Sequence, residues 1–393
     1  MGTAAEETAI EAFQRRIAQE PERQPLRVVP GGEEHRPAIP LQPGENWRFH
    51  FDMSLCVGCK CCEVACHEQN NNPPDVKWRR VGEVEGGVFP DTKHFFTSIA
   101  CNHCLEPTCL SGCPVDAYKK DPLTGVVLLD SSTCIGCQYC TWNCAYGAPQ
   151  FNEERGVVTK CDLCHNRLKA GELPACVAAC PSGAIQIEAF KPAEWRRDLS
   201  GANAPGLPDA GITVSATRIT LPPALGERLQ RIDDFRIKPE KAHYSLIVLT
   251  VFTQLAVGGF LSLLLMEWAG ELLSFPPAFE SVLKTGALVM LGAAGLALGV
   301  SIFHLGKPLF AWRALKMWRR SWLSREVLFF ALFAGLAFLH AALRWFPLAP
   351  PPLRGAIGAL VALSGLAGVY ASACIYRVPA RPSWNTPRTQ AAF

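Results

Sequence analysis

Cysteine is the residue type whose number and spacing in this sequence could do chemistry. Seventeen of the eighteen cysteines lie between Cys56 and Cys180. Sixteen of them form four quartets: Cys56, Cys59, Cys62 and Cys66; Cys101, Cys104, Cys109 and Cys113; Cys134, Cys137, Cys140 and Cys144; and Cys161, Cys164, Cys176 and Cys180. Cysteines separated by two intervening residues can bind the corners of a cubane, and a fourth cysteine further along ligates the other cluster of a pair. The pattern therefore predicts four [4Fe–4S] clusters.

Two cysteines remain outside the quartets. Cys61 stands beside Cys62, and the regular spacing selects Cys62 as the ligand. Cys374 lies alone in an apolar stretch, where a cysteine packs as a small apolar side chain. Neither is expected to bind a cluster.

Zinc and disulfides are the competing interpretations of so many cysteines. Structural zinc sites built from paired C-x2-C motifs do not require a third cysteine two residues on and a fourth three residues further. Disulfides belong to oxidising compartments. Residues 1–48 are charged and proline-rich and contain no apolar signal segment, although Arg15 and Arg16 form a twin-arginine pair. Iron–sulfur clusters are the favoured interpretation.

The segments that follow the cysteines predict the elements that position them. After Cys113 and again after Cys180 the sequence reads as a turn, a short helix and a strand. We expect an N-terminal arm over 1–48, with a helix at about 4–20, then a ferredoxin-like domain over 49–190. A linker rich in glycine and proline follows over 191–242.

Four apolar runs without acidic or basic residues follow in the region 243–393. They cover 244–266, 285–305, 327–343 and 355–376. A membrane span needs about 20 apolar residues, with a range of about 17–25, so all four qualify and the third is marginal. The predicted fold class is α+β, with tandem two-cluster bacterial-ferredoxin-like modules followed by an all-α four-span transmembrane bundle.

The basic residues predict the orientation of the spans. Loops on the side of the cysteine region, at 228–241, 307–325 and 377–388, hold fourteen Lys and Arg, against three on the opposite side. By the positive-inside rule the cysteine domain faces the cytoplasm of a bacterial inner membrane. The basic residues do not line one polar face, which speaks against a nucleic-acid partner.

The cysteine region resembles the four-cluster iron–sulfur subunit of the dimethyl sulfoxide reductase family of molybdenum enzymes. The resemblance covers about 48–225 and rests on four quartets with x4 in the second and x11 in the fourth. It implies interleaved ligand sets: Cys56, Cys59, Cys62 and Cys180; Cys66, Cys161, Cys164 and Cys176; Cys101, Cys104, Cys109 and Cys144; and Cys113, Cys134, Cys137 and Cys140. It also implies that the first set faces a molybdopterin-containing catalytic subunit and the last lies nearest the membrane.

The C-terminal region resembles the membrane anchor subunit of the same complexes. This resemblance rests on the sequence motifs at 243–247, 304–308 and 321–326. The family associates the histidine before Leu-Gly with a quinone site, so the resemblance implies that His304 binds quinone or quinol. His340, in the middle of a run, is expected to make a helix–helix hydrogen bond instead.

The sequence departs from the family pattern in two ways. The iron–sulfur and anchor parts are fused here, and the anchor has about half the usual number of spans. Three explanations stay open: four spans suffice, a further anchor chain completes the bundle, or the sequence is truncated.

The expected function is electron transfer without substrate chemistry in this chain, because no nucleophile–base pair accompanies the cysteines. As a non-catalytic redox subunit of an oxidoreductase complex, it would connect the quinone pool to a catalytic subunit. That subunit would reduce an S-oxide or N-oxide or oxidise sulfite, and the cytoplasmic orientation slightly favours sulfite. The alternative is a zinc-structured membrane scaffold without redox work.

Overall fold

The structure is a computed structural model that describes residues 40–223, 229–231, 243–273, 276, 278–346 and 350–393. The helix expected at 4–20 lies outside the described residues. The chain forms two compact units. The first contains Met1–Ser111, Asp116–Cys134 and Gln138–Pro239, and the second contains Gly112–Val115, Ile135–Cys137 and Glu240–Phe393.

Two three-stranded sheets frame the first unit. Strand β1 (Asn46–Asp52) is central in one sheet, antiparallel to β8 (Ile185–Phe190) and parallel to β9 (Arg218–Thr220). In the other sheet, β2 (Arg80–Val88) pairs with β3 (Asp91–Ile99) and β10 (Gln230–Arg231). Phenylalanines of β1 enter a core that also contains cysteines of the quartets. Strand β1 precedes the first quartet and β8 follows the fourth, so their pairing brings the two ends of the cysteine region together.

Short helices and two hairpins make up the rest of the first unit. The hairpins are β4 (Tyr118–Lys120) with β5 (Val127–Leu129), and β6 (Gln150–Asn152) with β7 (Val157–Thr159). The helices are α1 (Cys61–Asn70), α2 (Thr108–Gly112), α3 (Tyr139–Asn143), α4 (His165–Lys169), α5 (Ala175–Ala178) and α6 (Pro192–Trp195), with 3-10 turns at Ser200–Ala202 and Ala210–Ile212. Short helices and hairpins recur along the cysteine region, as the predicted tandem ferredoxin-like arrangement requires. The predicted fold class is confirmed.

Four long helices make up most of the second unit. They are α7 (Tyr244–Leu273), α8 (Ala278–Ser301), α9 (Trp322–Trp345) and α10 (Pro351–Tyr376), followed by a short α11 (Pro387–Ala392). All four are long and apolar enough to cross a membrane. The third is 24 residues long, although its uncharged run has only 17 residues. The run stops short because Glu326 and Arg344 lie inside the helix.

Ionic side chains connect three of these helices at the ends opposite to His304. Arg344 of α9 lies 2.8 Å from Glu267 of α7 and 3.3 Å from Glu280 of α8. His340 places its Nε2 atom 3.7 Å from the Glu267 carboxylate. A buried charge in an apolar bundle requires a partner of opposite charge, and this cluster supplies one. Neither ring nitrogen of His340 has a hydrogen-bond partner among the described residues, so the helix–helix hydrogen bond expected of it is absent there and its ring only approaches the Glu267 carboxylate.

Aromatic and basic residues lie at the same end of the long helices as the C-terminus of α8. A 3-10 segment, Pro308–Leu315, follows the turn Ile302–His304, and Arg313 lies 4.1 Å from the ring centre of Phe310. Arg325 lies 4.2 Å from the ring centre of Trp322. Aromatic and basic side chains together are typical of a membrane–water interface.

Candidate iron–sulfur centres and membrane site

The C-x2-C loops share a backbone feature that makes them curl. In all four quartets the residue before the second cysteine has positive φ: Gly58 (68°), His103 (44°), Gly136 (72°) and Leu163 (62°). Glycine adopts this conformation without steric cost, whereas histidine and leucine rarely do. A left-handed residue there bends the loop, as wrapping around a cluster requires. The sequence could suggest the bend at the two glycines but not at His103 or Leu163.

The first predicted ligand set is brought together by the ends of the cysteine region. Burial raises the pKa of the Cys56 thiol, and the thiolates of Cys180 and Cys59 raise it further. Burial also raises the pKa of Cys62, and Cys176 and Cys56 add to that effect. The thiols of Cys56, Cys59 and Cys180 thus interact electrostatically, although up to 124 residues separate them in sequence. The grouping of Cys56, Cys59 and Cys62 with Cys180 in one ligand set remains a prediction.

The second set gathers cysteines of the first and fourth quartets. Burial raises the pKa of Cys66 well above its ordinary value, and Cys161 and Cys176 raise it further. The pKa of Cys164 is raised in the same way by burial, with Cys176 and Cys161 among its neighbours. Cysteines of quartets one and four thus interact with one another, and their ligation of one cluster remains a prediction.

The third set gathers three cysteines of the second quartet with one of the third. Burial, together with Cys101 and Cys144, raises the pKa of Cys104 to about 12. Burial raises the pKa of Cys109 well above its ordinary value, with Cys144 the next contributor. Cys144 thus interacts with the cysteines of the second quartet, and its ligation of their cluster remains a prediction.

The fourth set is the one whose grouping depends mainly on the sequence pattern. Cys113, Cys134 and Cys140 are buried and Cys137 is partly exposed. Cys113 and Cys137 belong to two short segments that the contacts place in the second unit, with the long helices. Their ligation of one cluster remains a prediction.

Cys61 and Cys62 differ sharply in environment. Cys62 is 6% exposed and lies in the core, whereas Cys61 is exposed at the start of α1. The Sγ atom of Cys62 lies 3.4 Å from the Ser98 hydroxyl. This placement favours Cys62 as the ligand, as the spacing predicts.

Arg79 is a buried cation among the cysteines of the first two sets. Burial lowers its pKa, but the thiolates of Cys176, Cys161, Cys62 and Cys66 outweigh that effect and raise the pKa above its ordinary value. Its Nη1 atom donates to Ser98, whereas Nε and Nη2 have no hydrogen-bond partner among the described residues. A buried guanidinium requires nearby negative charge. A thiolate-ligated cluster would supply that charge, so the residues fit the cofactor.

Lys160 plays a similar electrostatic part between the second and third sets. Its Nζ donates to the carbonyl oxygens of Val127 and Cys161. Burial lowers the pKa of Lys160, but the thiolates of Cys101, Cys109 and Cys161 outweigh burial and raise it. Neither Lys160 nor Arg79 stands out in the sequence, because an isolated Lys or Arg ordinarily indicates a solvated surface.

His304 lies at the end of the second long helix, in the turn Ile302–His304. Its Nδ1 atom contacts the carbonyl oxygen of Ser301, and the side chain is partly exposed. His243, just before α7, is close enough to interact with it electrostatically. In the first turns of α9, Glu326 is buried near Ser372 of α10, and the sequence pattern assigns this acid no role.

Backbone and serine contacts hold two cysteine loops within the second unit. The Lys307 amide donates to the Ile135 carbonyl at 3.1 Å, and Ser321 Oγ donates to the Gly112 carbonyl at 2.7 Å. Ser324 Oγ donates to the Pro114 carbonyl at 3.3 Å. The segments carrying Cys113 and Cys137 are therefore fixed to the loop that follows His304.

Comparisons with known proteins match two separate parts of the sequence. Residues 92–189 match the family model of the 4Fe-4S dicluster domain, and residues 240–393 match that of the DMSO reductase anchor subunit. This site and fold define a membrane-anchored iron–sulfur electron-transfer protein.

Individual relatives specify the family. A probable anaerobic dimethyl sulfoxide reductase chain, YnfG of Escherichia coli K12, is 39% identical over 176 residues, which cover 43% of this chain and 85% of the relative. A second relative from the same organism, a chain of its anaerobic dimethyl sulfoxide reductase, is 41% identical over 36% of this chain and 73% of its own length. A subunit of the sulfite dehydrogenase of Allochromatium vinosum is 38% identical over 34% of this chain and 65% of the relative. This protein belongs to the family of dimethyl sulfoxide reductase iron–sulfur subunits, fused to an anchor domain.

Proposed function

We propose that this protein conducts electrons through four [4Fe–4S] clusters between the quinone pool and a molybdopterin-containing catalytic subunit. The observation that carries the proposal is the attachment of the Cys113 and Cys137 segments to the loop after His304. A quinone headgroup at His304 would exchange electrons with the cluster held by Cys113, Cys134, Cys137 and Cys140. The other three sets would carry them onward.

His304 suits the proton chemistry that accompanies quinone electron transfer. An imidazole can hydrogen-bond a quinone carbonyl and can exist in either protonation state near neutrality. His304 ends a helix long and apolar enough to span the membrane, and the adjacent Phe303 is 74% exposed. An apolar surface beside a polar terminus would suit the isoprenoid tail and headgroup of a quinone.

The relatives support a catalytic partner, since they are named as parts of dimethyl sulfoxide reductase and sulfite dehydrogenase. Reduction of an S-oxide or N-oxide and oxidation of sulfite are thus the two candidate reactions. The fourteen-to-three distribution of basic residues favours a cytoplasmic iron–sulfur domain in the inner membrane, and with it the sulfite-type reaction. A further anchor chain would bring the number of spans to that of the usual anchor.

Quinol oxidation by the purified complex tests the proposal. His304→Ala should leave cluster content and dye-linked activity of the partner intact, while quinol-linked turnover falls roughly 10²-fold, the scale of losing a positioned acid–base group. Leu309→Ala is the matched control, because Leu309 is 89% exposed on the same edge and carries no titratable group. Undiminished quinol turnover in His304→Ala would remove the quinone role from this histidine.

A further inference from the structure

His103 stands inside the second quartet, between Cys101 and Cys104, and is 2% exposed. Its φ of 44° lies in the left-handed region that histidine rarely adopts. This conformation directs the ring into the protein, toward the strand β5 and the beginning of the fourth quartet. The ring is therefore enclosed by protein, and its two nitrogen atoms must find partners there.

Backbone contact fixes the tautomer of the ring. The Val127 amide donates a 3.0 Å hydrogen bond to Nδ1, so Nδ1 is the acceptor and carries no hydrogen. In the neutral imidazole the hydrogen must then be on Nε2. That atom lies 4.0 Å from the Sγ atom of Cys161. The N–H group consequently points at a cysteine sulfur.

The two ends of this contact belong to different predicted ligand sets. His103 lies in the loop of the set Cys101, Cys104, Cys109 and Cys144, whereas Cys161 belongs with Cys66, Cys164 and Cys176. Lys160 links the backbone on both sides of this contact, because its Nζ donates to the carbonyl oxygens of Val127 and Cys161. The imidazole thus bridges the loop of one set and a ligand of the other.

We propose that His103 is a positioning residue for electron transfer, whose Nε2–H donates to the Cys161 sulfur and raises the reduction potential of that cluster. The proposal rests on the ligand sets of the proposed function. Hydrogen bonds to cluster sulfurs stabilise the more negative, reduced state and so raise the potential. In each transfer between the two sets, one cluster passes from the 1+ to the 2+ state as the other passes from 2+ to 1+.

Potentiometric titration followed by EPR tests the proposal on the intact complex. His103→Phe keeps a planar ring but removes the N–H, and it should lower the midpoint potential of one cluster while iron content is retained. His103→Gln, which restores an N–H donor, should return the potential toward that of the wild type. His67→Phe is the control, because His67 adjoins Cys66 of the same set in sequence and no hydrogen bond from its ring to a cysteine sulfur is found among the described residues. Unchanged potentials in an iron-replete His103→Phe protein would overturn the proposal.

A second measurement needs no substitution. Pulsed EPR of the reduced wild-type complex labelled with 15N-histidine should show a weak coupling from one imidazole nitrogen to a cluster, and its absence would contradict the hydrogen bond. The Cys161→Ser variant separates this proposal from the ligand sets. If Cys161→Ser retains all its iron, the ligand assignment fails. If it loses a cluster while the wild type lacks the histidine coupling, only the role of His103 fails.

Discussion

Adjacent cysteines at the start of α1 illustrate how spacing and burial act together at the scale of single residues. Cys62 is in the core and Cys61 is exposed. Cys62→Ser should remove a cluster, because a serine hydroxyl replaces a buried thiolate ligand. Cys61→Ser should leave iron content unchanged, and anaerobic iron and sulfide analysis of both variants checks this. Equal loss of iron from both would show that the ligand is wrongly chosen.

Individual residues also show why the sequence predicts candidate ligands better than it predicts the surroundings of those ligands. Cysteine spacing is local, so the quartets can be read directly from the sequence. The environment of Arg79 depends on Cys161 and Cys176, which are more than eighty residues away in sequence. The bridging contact of His103 likewise requires the fold to bring Cys161 and Val127 to the same ring. No local pattern contains that information.

At the scale of elements, the long helices extend beyond the uncharged runs that predict them. Helix α9 begins at Trp322 and ends at Trp345, whereas its uncharged run covers only 327–343. A count that stops at charged residues cannot anticipate that Arg344 is neutralised by Glu267 and Glu280 on neighbouring helices. The existence of each span is therefore predictable, but its length depends on packing.

The ion pair between helices α7 and α9 predicts non-additive effects of substitution. Arg344→Leu should lower the free energy of unfolding by about 3–5 kcal/mol, because it leaves the buried Glu267 carboxylate without its cation. The double variant Glu267→Leu with Arg344→Leu should recover much of that loss, since the other carboxylate beside Arg344, that of Glu280, is 42% exposed and can be solvated. Unfolding of the detergent-solubilised protein by denaturant measures both. Simple additivity of the two substitutions would mean that the pair is not coupled.

At the scale of the whole molecule, the distribution of basic residues predicts the orientation of the spans. A reporter fused after Phe393 should indicate the cytoplasm, as should one inserted between Arg319 and Arg320, because basic loops remain on the cytoplasmic side. Reporter activity in whole cells measures this, and a reporter between Leu353 and Arg354 should give the opposite result. A periplasmic signal from the C-terminal fusion would overturn both the orientation and the preference for sulfite oxidation.

The central claim for the whole molecule is that sixteen cysteines hold four [4Fe–4S] clusters. Iron and acid-labile sulfide analysis of the anaerobically purified wild-type protein tests it most directly. Four cubanes require about sixteen iron atoms and about sixteen sulfides per polypeptide, with a brown colour and no stoichiometric zinc. About eight of each, accompanied by stoichiometric zinc, would contradict the claim and favour a protein in which part of the cysteine framework is structural.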